Sequence, residues 1–139
     1  MPTYYVDTSV LLRVILRQPN TLAEWERIKT PLSSAITETE AARGIDQSRH
    51  RKELDETEAA AAMVSVGQIL EGFDLVDIDR AVRARAGQPQ AGPLRTLDAI
   101  HLATALLWKE RVTTDLVFAT HDPRLGGAAR AHGLEVIGL

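Results

Sequence analysis

The 139-residue chain contains no cysteine. Disulfides and thiolate metal ligands are therefore excluded, and the composition suits a reducing, cytoplasmic setting. Aromatics are scarce at 4%, so the core has to be aliphatic. No apolar run approaches the ~18 residues expected of a membrane span. No signal peptide is expected either, because the first residues lack a basic start and a long apolar stretch. Lysine is rare, 13 of the 16 basic residues being arginine. With 19 acidic residues the net charge is −3, which leaves no overall basic footprint for nucleic acid. The arginine bias supplies planar forks that match phosphate, although a GC-rich genome produces the same bias.

What is present is ordinary for a folded protein: 45% hydrophobic and 25% charged residues, enough for one domain, 1–139, with a real core. Strand-like and helix-like segments alternate. A strand over 3–6 precedes an amphipathic helix over 9–17, and "LAEWERIK" reads as a second helical run. "PLSSAI" is a strand, "TETEAARGIDQS" a helix, and an alanine-rich helical region extends over 50–71. "GFDLVDID" is the third strand, followed by a helix at 79–86 and a turn-rich surface loop at 87–93. A strongly apolar helix over 97–110, the strand "LVFAT", a short helix in "DPRLGGAARAHG" and the strand "EVIGL" complete the chain. This alternation predicts an α/β fold, a largely parallel five-stranded sheet flanked by helices on both faces. In such sheets ligands gather outside the carboxyl ends of the strands.

Asp7, Asp122, Asp98 and one of Glu38 or Glu40 fall at those ends. Asp7 ends strand one, and Asp122 ends strand four in "ATHDP". Both also suit helix N-caps, although Thr8 or Ser9 would cap the first helix equally well. Asp98 falls in the first turn of the apolar helix behind a Thr96 cap, where the helix dipole favours a carboxylate. Glu38 and Glu40 share the start of the helix after strand two. A helical wheel places Glu40 on the solvated side, and a Thr37–Glu40 capping box is a further structural explanation. Taken together, four carboxylates on one sheet edge would repel unless cations intervened. All-oxygen ligation selects Mg²⁺ or Mn²⁺, which points to phosphoryl chemistry.

The stretches "YYVDTSVLL", "SSAITETEAAR", "LRTLDAIHLATAL", "VFATHDPRL" and "HGLEVIGL", in that order and spacing, resemble the PIN-domain nucleases, and within them the VapC-type toxins. The resemblance covers nearly the whole chain and implies a single PIN-like, Rossmann-like domain. It assigns the acids of the site to Asp7, Glu40, Asp98 and Asp122, with Thr8, Ser9 and Thr120 as supporting hydroxyls. Glu40, followed by Arg43, fits the family pattern where Glu38 does not, and Asp115 is the weaker alternative to Asp122. The resemblance further implies Mg²⁺- or Mn²⁺-dependent endoribonuclease activity on structured RNA, a homodimer, and neutralisation by a VapB-like antitoxin. Arg43, Arg13 and Arg124 are the candidate RNA contacts, with Arg85 and Arg95 as further cations.

Other residues have plainer expectations. His101 reads as a packed or hydrogen-bonding histidine rather than a ligand, His121 as structural, and His50 and His132 as surface residues. Trp25 and Trp108 suit a core or a dimer interface. The alanine-rich 53–64 is explained by packing as well as by an interaction surface. A phosphatase with Asp7 as nucleophile requires a second aspartate where Ser9 stands, and a phospho-accepting receiver domain requires a lysine absent from "FATHD". An interaction module whose carboxylates are only caps, or a catalytically weak RNA-binding relative, is the remaining non-enzymatic alternative.

Overall fold

The computed structural model describes residues 1–139. Five strands form one sheet: β1 (Thr3–Val6), β2 (Pro31–Ser34), β3 (Asp74–Val76), β4 (Leu116–Ala119) and β5 (Glu135–Ile137). All neighbours are parallel and the spatial order is β3-β2-β1-β4-β5. The chain therefore builds outward from β1 in one direction, then returns to place β4 on its other side. Between β1 and β4 the strand order reverses, the position at which parallel sheets open a binding crevice.

Six helices cover the sheet: α1 (Thr8–Ile15), α2 (Ile36–His50), α3 (Glu56–Leu70), α4 (Arg80–Ala86), α5 (Thr96–Arg111) and α6 (Pro123–Ala131). Period-two alternation divides the core. Tyr5 and Phe118 stack with ring centroids 5.1 Å apart and pack with Leu102, Leu106 and Leu125 of α5 and α6. On the other face Val6, Val10 and Ala119 pack with Leu22, while Leu11, Ala41, Ile45, Ala59, Ala62 and Val66 join α1, α2 and α3. The alanine-rich helix thus buries Ala59 and Ala62 and leaves Met63 and Val64 exposed. Trp108 packs against the first core, and Trp25 against the other two clusters.

Three element assignments need correction. The region 50–71 is not one helix. Lys52 adopts a left-handed conformation (φ 61°), and a capping box between Asp55 and Glu58 starts α3 afresh. The run 22–29 forms only a 3₁₀ turn at Trp25–Arg27, because the chain has to become extended by Ile28 to enter β2. Arg95, not Thr96, occupies the N-cap of α5, without a side-chain hydrogen bond, since the backbone is extended there (ψ 166°) and Thr96 is already helical.

Gly138 closes the fold. Its φ of +98° is left-handed, and a Cβ there would lie 2.6 Å from the carbonyl oxygen of Thr120. Both the conformation and the overlap resist any side chain. Gly138→Ala is expected to destabilise the protein by about 2 kcal/mol, read as a lower urea midpoint with an unchanged denaturant slope.

Candidate active site

The site grows from the end of β1. Asp7 is buried, and its backbone N–H donates to Ala119 O at 3.1 Å, continuing the β1–β4 ladder by one residue. It is also the N-cap of α1, a position predicted to suit Thr8 or Ser9 equally. Asp7 Oδ1 accepts from the N–H groups of Ser9 (2.9 Å) and Val10 (3.4 Å) and from the Ser9 hydroxyl. Oδ2 accepts from Thr120 Oγ1 at 2.7 Å. The same threonine oxygen accepts from Asp122 N at 3.0 Å, so one buried hydroxyl links the acids of β1 and β4. Asp122 caps α6, with Oδ1 accepting from Arg124 N and Leu125 N and Pro123 in the first turn. Capping and facing a cavity are not exclusive, because a carboxylate has two oxygens.

Glu40 stands on α2, one turn in. Its Oε1 accepts from Thr8 Oγ1 (2.7 Å) and from His101 Nε2 (2.6 Å), while Oε2 has no partner. The predicted Thr37–Glu40 capping box does not form: Ala35 is the N-cap, and Thr37 is buried against Ser33 Oγ. The helical wheel fails at Glu40 for a geometric reason. Ile36, Glu40, Arg43 and Gln47 lie on one stripe of α2, and that stripe lines a cavity rather than bulk water. Glu38 is exposed and lies outside the cavity.

Asp98, in the first turn of α5, is half-buried and makes no hydrogen bond or ion pair with another side chain. Asp7, Glu40, Asp98 and Asp122 all line one cavity of about 520 Å³, together with Thr8, Ser9, Arg43, Leu97 and His101. Asp115 lies at the opposite edge of the sheet, before β4, where its carbonyl accepts from Thr3 N. Arg43 lines the cavity, is 64% exposed and pairs with Asp46. Arg124 shares a neighbouring groove with Arg95, Asp98 and Asp122. Arg13 does not reach the site: it donates to Asn20 O and lines a separate groove with His121. Arg85 is paired with Glu110, away from the cavity. His121 bonds Gly138 O at 2.7 Å, and His132 is half-buried rather than on the surface. His50 is exposed, as predicted.

The model of the PIN domain family matches residues 4–131. The chain belongs to that family. Ribonuclease VapC46 of Mycobacterium tuberculosis is 34% identical to this PIN domain, over 99% of this chain and 98% of that protein. Ribonuclease VapC35 of the same species is 33% identical, over 96% and 94%. Among solved structures, FitAcB from Neisseria gonorrhoeae superimposes with a TM-score of 0.73 at 23% identity, covering 96% of both chains. VapBC-5 of Mycobacterium tuberculosis, from a family of toxin–antitoxin systems, gives 0.67 at 15% identity over the full length of each. The parallel sheet and six helices are those of the PIN fold.

The electrostatics of this PIN-domain site are unbalanced. No lysine or arginine pairs with any of its four acids; the one ion-pair contact is His101 with Glu40. Burial and then the charge of Asp122, with smaller contributions from Asp7 and Glu40, hold the Asp98 carboxyl above its ordinary pKa, against an opposing pull from His101. At Glu40 burial pushes upward, but the hydrogen bond from His101, any positive charge on that ring and the Thr8 hydroxyl outweigh it, so its pKa is lowered. The donor set fits a hard divalent cation: it is carboxylate oxygen, apart from a histidine whose two ring nitrogens are already engaged. No three of these groups already converge into a metal cage. An open set of oxygens suits an ion that keeps several waters.

The raised pKa of Asp98 fixes a sign. The fold prefers the protonated form, so the ionised carboxylate costs stability above its folded-state pKa, and the cost disappears below the ordinary aspartate value. Metal-free Asp98→Asn is expected to melt at or above the wild-type temperature at pH 7. Any such gap should close at acidic pH, as followed by calorimetry across a pH series.

Proposed function

We propose that this PIN domain is a metal-dependent endoribonuclease of the VapC toxin type. It acts on structured cytoplasmic RNA such as transfer or ribosomal RNA, works as a homodimer and is restrained by a VapB-like antitoxin. The observation that carries the reading is the cavity into which β1, α2, α5 and the β4–α6 junction bring Asp7, Glu40, Asp98 and Asp122 without a lysine or arginine partner. Relatives named ribonucleases, aligned over nearly the whole chain, support RNA as substrate. Neighbouring folds solved as toxin–antitoxin complexes support an antitoxin partner. No helix is long and apolar enough to cross a membrane.

Asp7, Glu40, Asp98 and Asp122 would hold Mg²⁺ or Mn²⁺, which supplies Lewis acidity toward the scissile phosphate and a bound water of lowered pKa. Asp98, which has no hydrogen-bond partner, is free to orient the attacking water and to receive its proton, with Asp122 beside it. Thr8, Ser9 and Thr120 keep the carboxylates oriented. Arg43 and Arg124 lie at the cavity and beside it, where their guanidinium groups can grip phosphates flanking the cut. Attack by water dispenses with the ribose 2′-hydroxyl, so the products carry 5′-phosphate and 3′-hydroxyl ends.

Purified, antitoxin-free protein incubated with total cellular RNA is expected to release discrete fragments in Mg²⁺ or Mn²⁺ and none in EDTA. Asp98→Asn should lower cleavage at least 100-fold while circular dichroism stays unchanged. Full cleavage by Asp98→Asn, or cleavage indifferent to EDTA, would overturn the assignment. Arg43→Ala is expected to weaken RNA binding several-fold without changing cation affinity, measured separately by filter binding and calorimetry.

A further inference from the structure

His101 is 2% exposed, yet both its ring nitrogens are engaged. The Tyr5 hydroxyl lies 2.6 Å from Nδ1, and Glu40 Oε1 lies 2.6 Å from Nε2. Tyr5 is itself fully buried, stacked on Phe118 at the centre of the sheet and edge-on to the imidazole. A phenol O–H opposite Nδ1 makes that nitrogen the acceptor. Nε2 then carries the ring hydrogen and donates it to the carboxylate. The chain of bonds runs one way, from Tyr5 through His101 to Glu40, and begins at a fully buried side chain of the core.

We propose that His101, held by Tyr5, is a positioning residue that fixes the orientation of Glu40 and so presents its free oxygen, Oε2, to the catalytic cation. The inference rests on the cation-dependent reading of the site. Without His101, Oε1 would keep only the Thr8 hydroxyl, and the glutamate could turn about its long side chain. A glutamate has one more rotatable bond than an aspartate, so it needs this support more than Asp7 or Asp122, which are fixed by neighbouring backbone N–H groups. Thr8 Oγ1 also approaches His101 Nε2 at 3.4 Å, so the hydroxyl and imidazole converge on the same carboxylate oxygen. Groups that orient a metal ligand in this way typically change affinity by 10–100-fold when removed.

The test is Mn²⁺ titration by calorimetry on the full chain, in parallel with RNA cleavage. His101→Leu is expected to weaken Mn²⁺ binding by at least about 10-fold. His101→Gln, whose amide can accept from Tyr5 and donate to Glu40, should restore most of that loss. Tyr5→Phe keeps the ring packed on Phe118 and removes only the hydroxyl; an intermediate loss is expected, with the melting temperature recorded for each variant. This second variant keeps the proposal testable if His101→Leu does not fold. A wild-type chain that fails to bind Mn²⁺ would overturn the cation reading and this inference with it. Wild-type binding with equal affinity in folded His101→Leu and Tyr5→Phe would overturn the role of His101 alone.

Discussion

The hydrogen bond from Thr120 Oγ1 to Asp7 Oδ2 spans 113 residues of sequence and joins the ends of the two central strands where the strand order reverses. A carboxylate only 4% exposed is costly unless donors replace its water. Asp7 has four such donors: two backbone N–H groups and two hydroxyls. Three come from its own turn, the two N–H groups that any well-capped helix offers and the Ser9 hydroxyl. The fourth exists only when β1 and β4 are correctly registered, so the geometry of the site is conditional on the sheet. Thr120 in turn is held by Ile137 O and crowded by Gly138, which ties the chain's last strand to its first acid.

The acids are treated unequally, and the inequality has chemical content. Asp7, Glu40 and Asp122 each have at least one oxygen committed to the protein, so the cavity meets them in restricted orientations. Asp98 is committed to nothing except its helix, and its raised pKa records its burial first and then the repulsion of the other acids. A site selected only for stability would place an arginine there. Leaving the charge unmatched costs folding free energy that a bound cation can return, which is where local rules of stability are expected to be broken.

Much of the fold was legible because period-two and 3.6-residue patterns respond to the same sheet and helix faces that the structure buries. The five strands, the strongly apolar α5 and the loop at 87–93 fall where they were expected. Misreadings arose where neighbouring patterns compete. Alanine and polar residues are good helix formers throughout 50–71, so composition concealed the turn at Lys52, although Asp55 followed three residues later by Glu58 carried the signal for a new start. Glu40 was invisible to the helical wheel, because a cavity and bulk solvent look alike to hydrophobic periodicity; only the resemblance of the motif singled it out. The Tyr5–His101–Glu40 chain was half legible. Burial of His101 followed from its place on an apolar helix, but its partners lie 96 and 61 residues away and no local pattern connects them.

Asp7 and Asp122 also explain why cap and ligand were hard to separate from sequence. The N-termini of α1 and α6 both point at the cavity, and α5 begins beside it at Asp98. Unpaired N–H groups at a helix start stabilise anions by a partial charge, worth roughly 0.3–1 kcal/mol each. A guanidinium would do so more strongly, but it would occupy the space and cancel the charge. Helix ends therefore solve a problem that side-chain cations cannot: they make clustered carboxylates tolerable while leaving the cluster negative. The same residue types at the same junctions suit both capping and the proposed cation site because both call for an anion placed at a helix N-terminus.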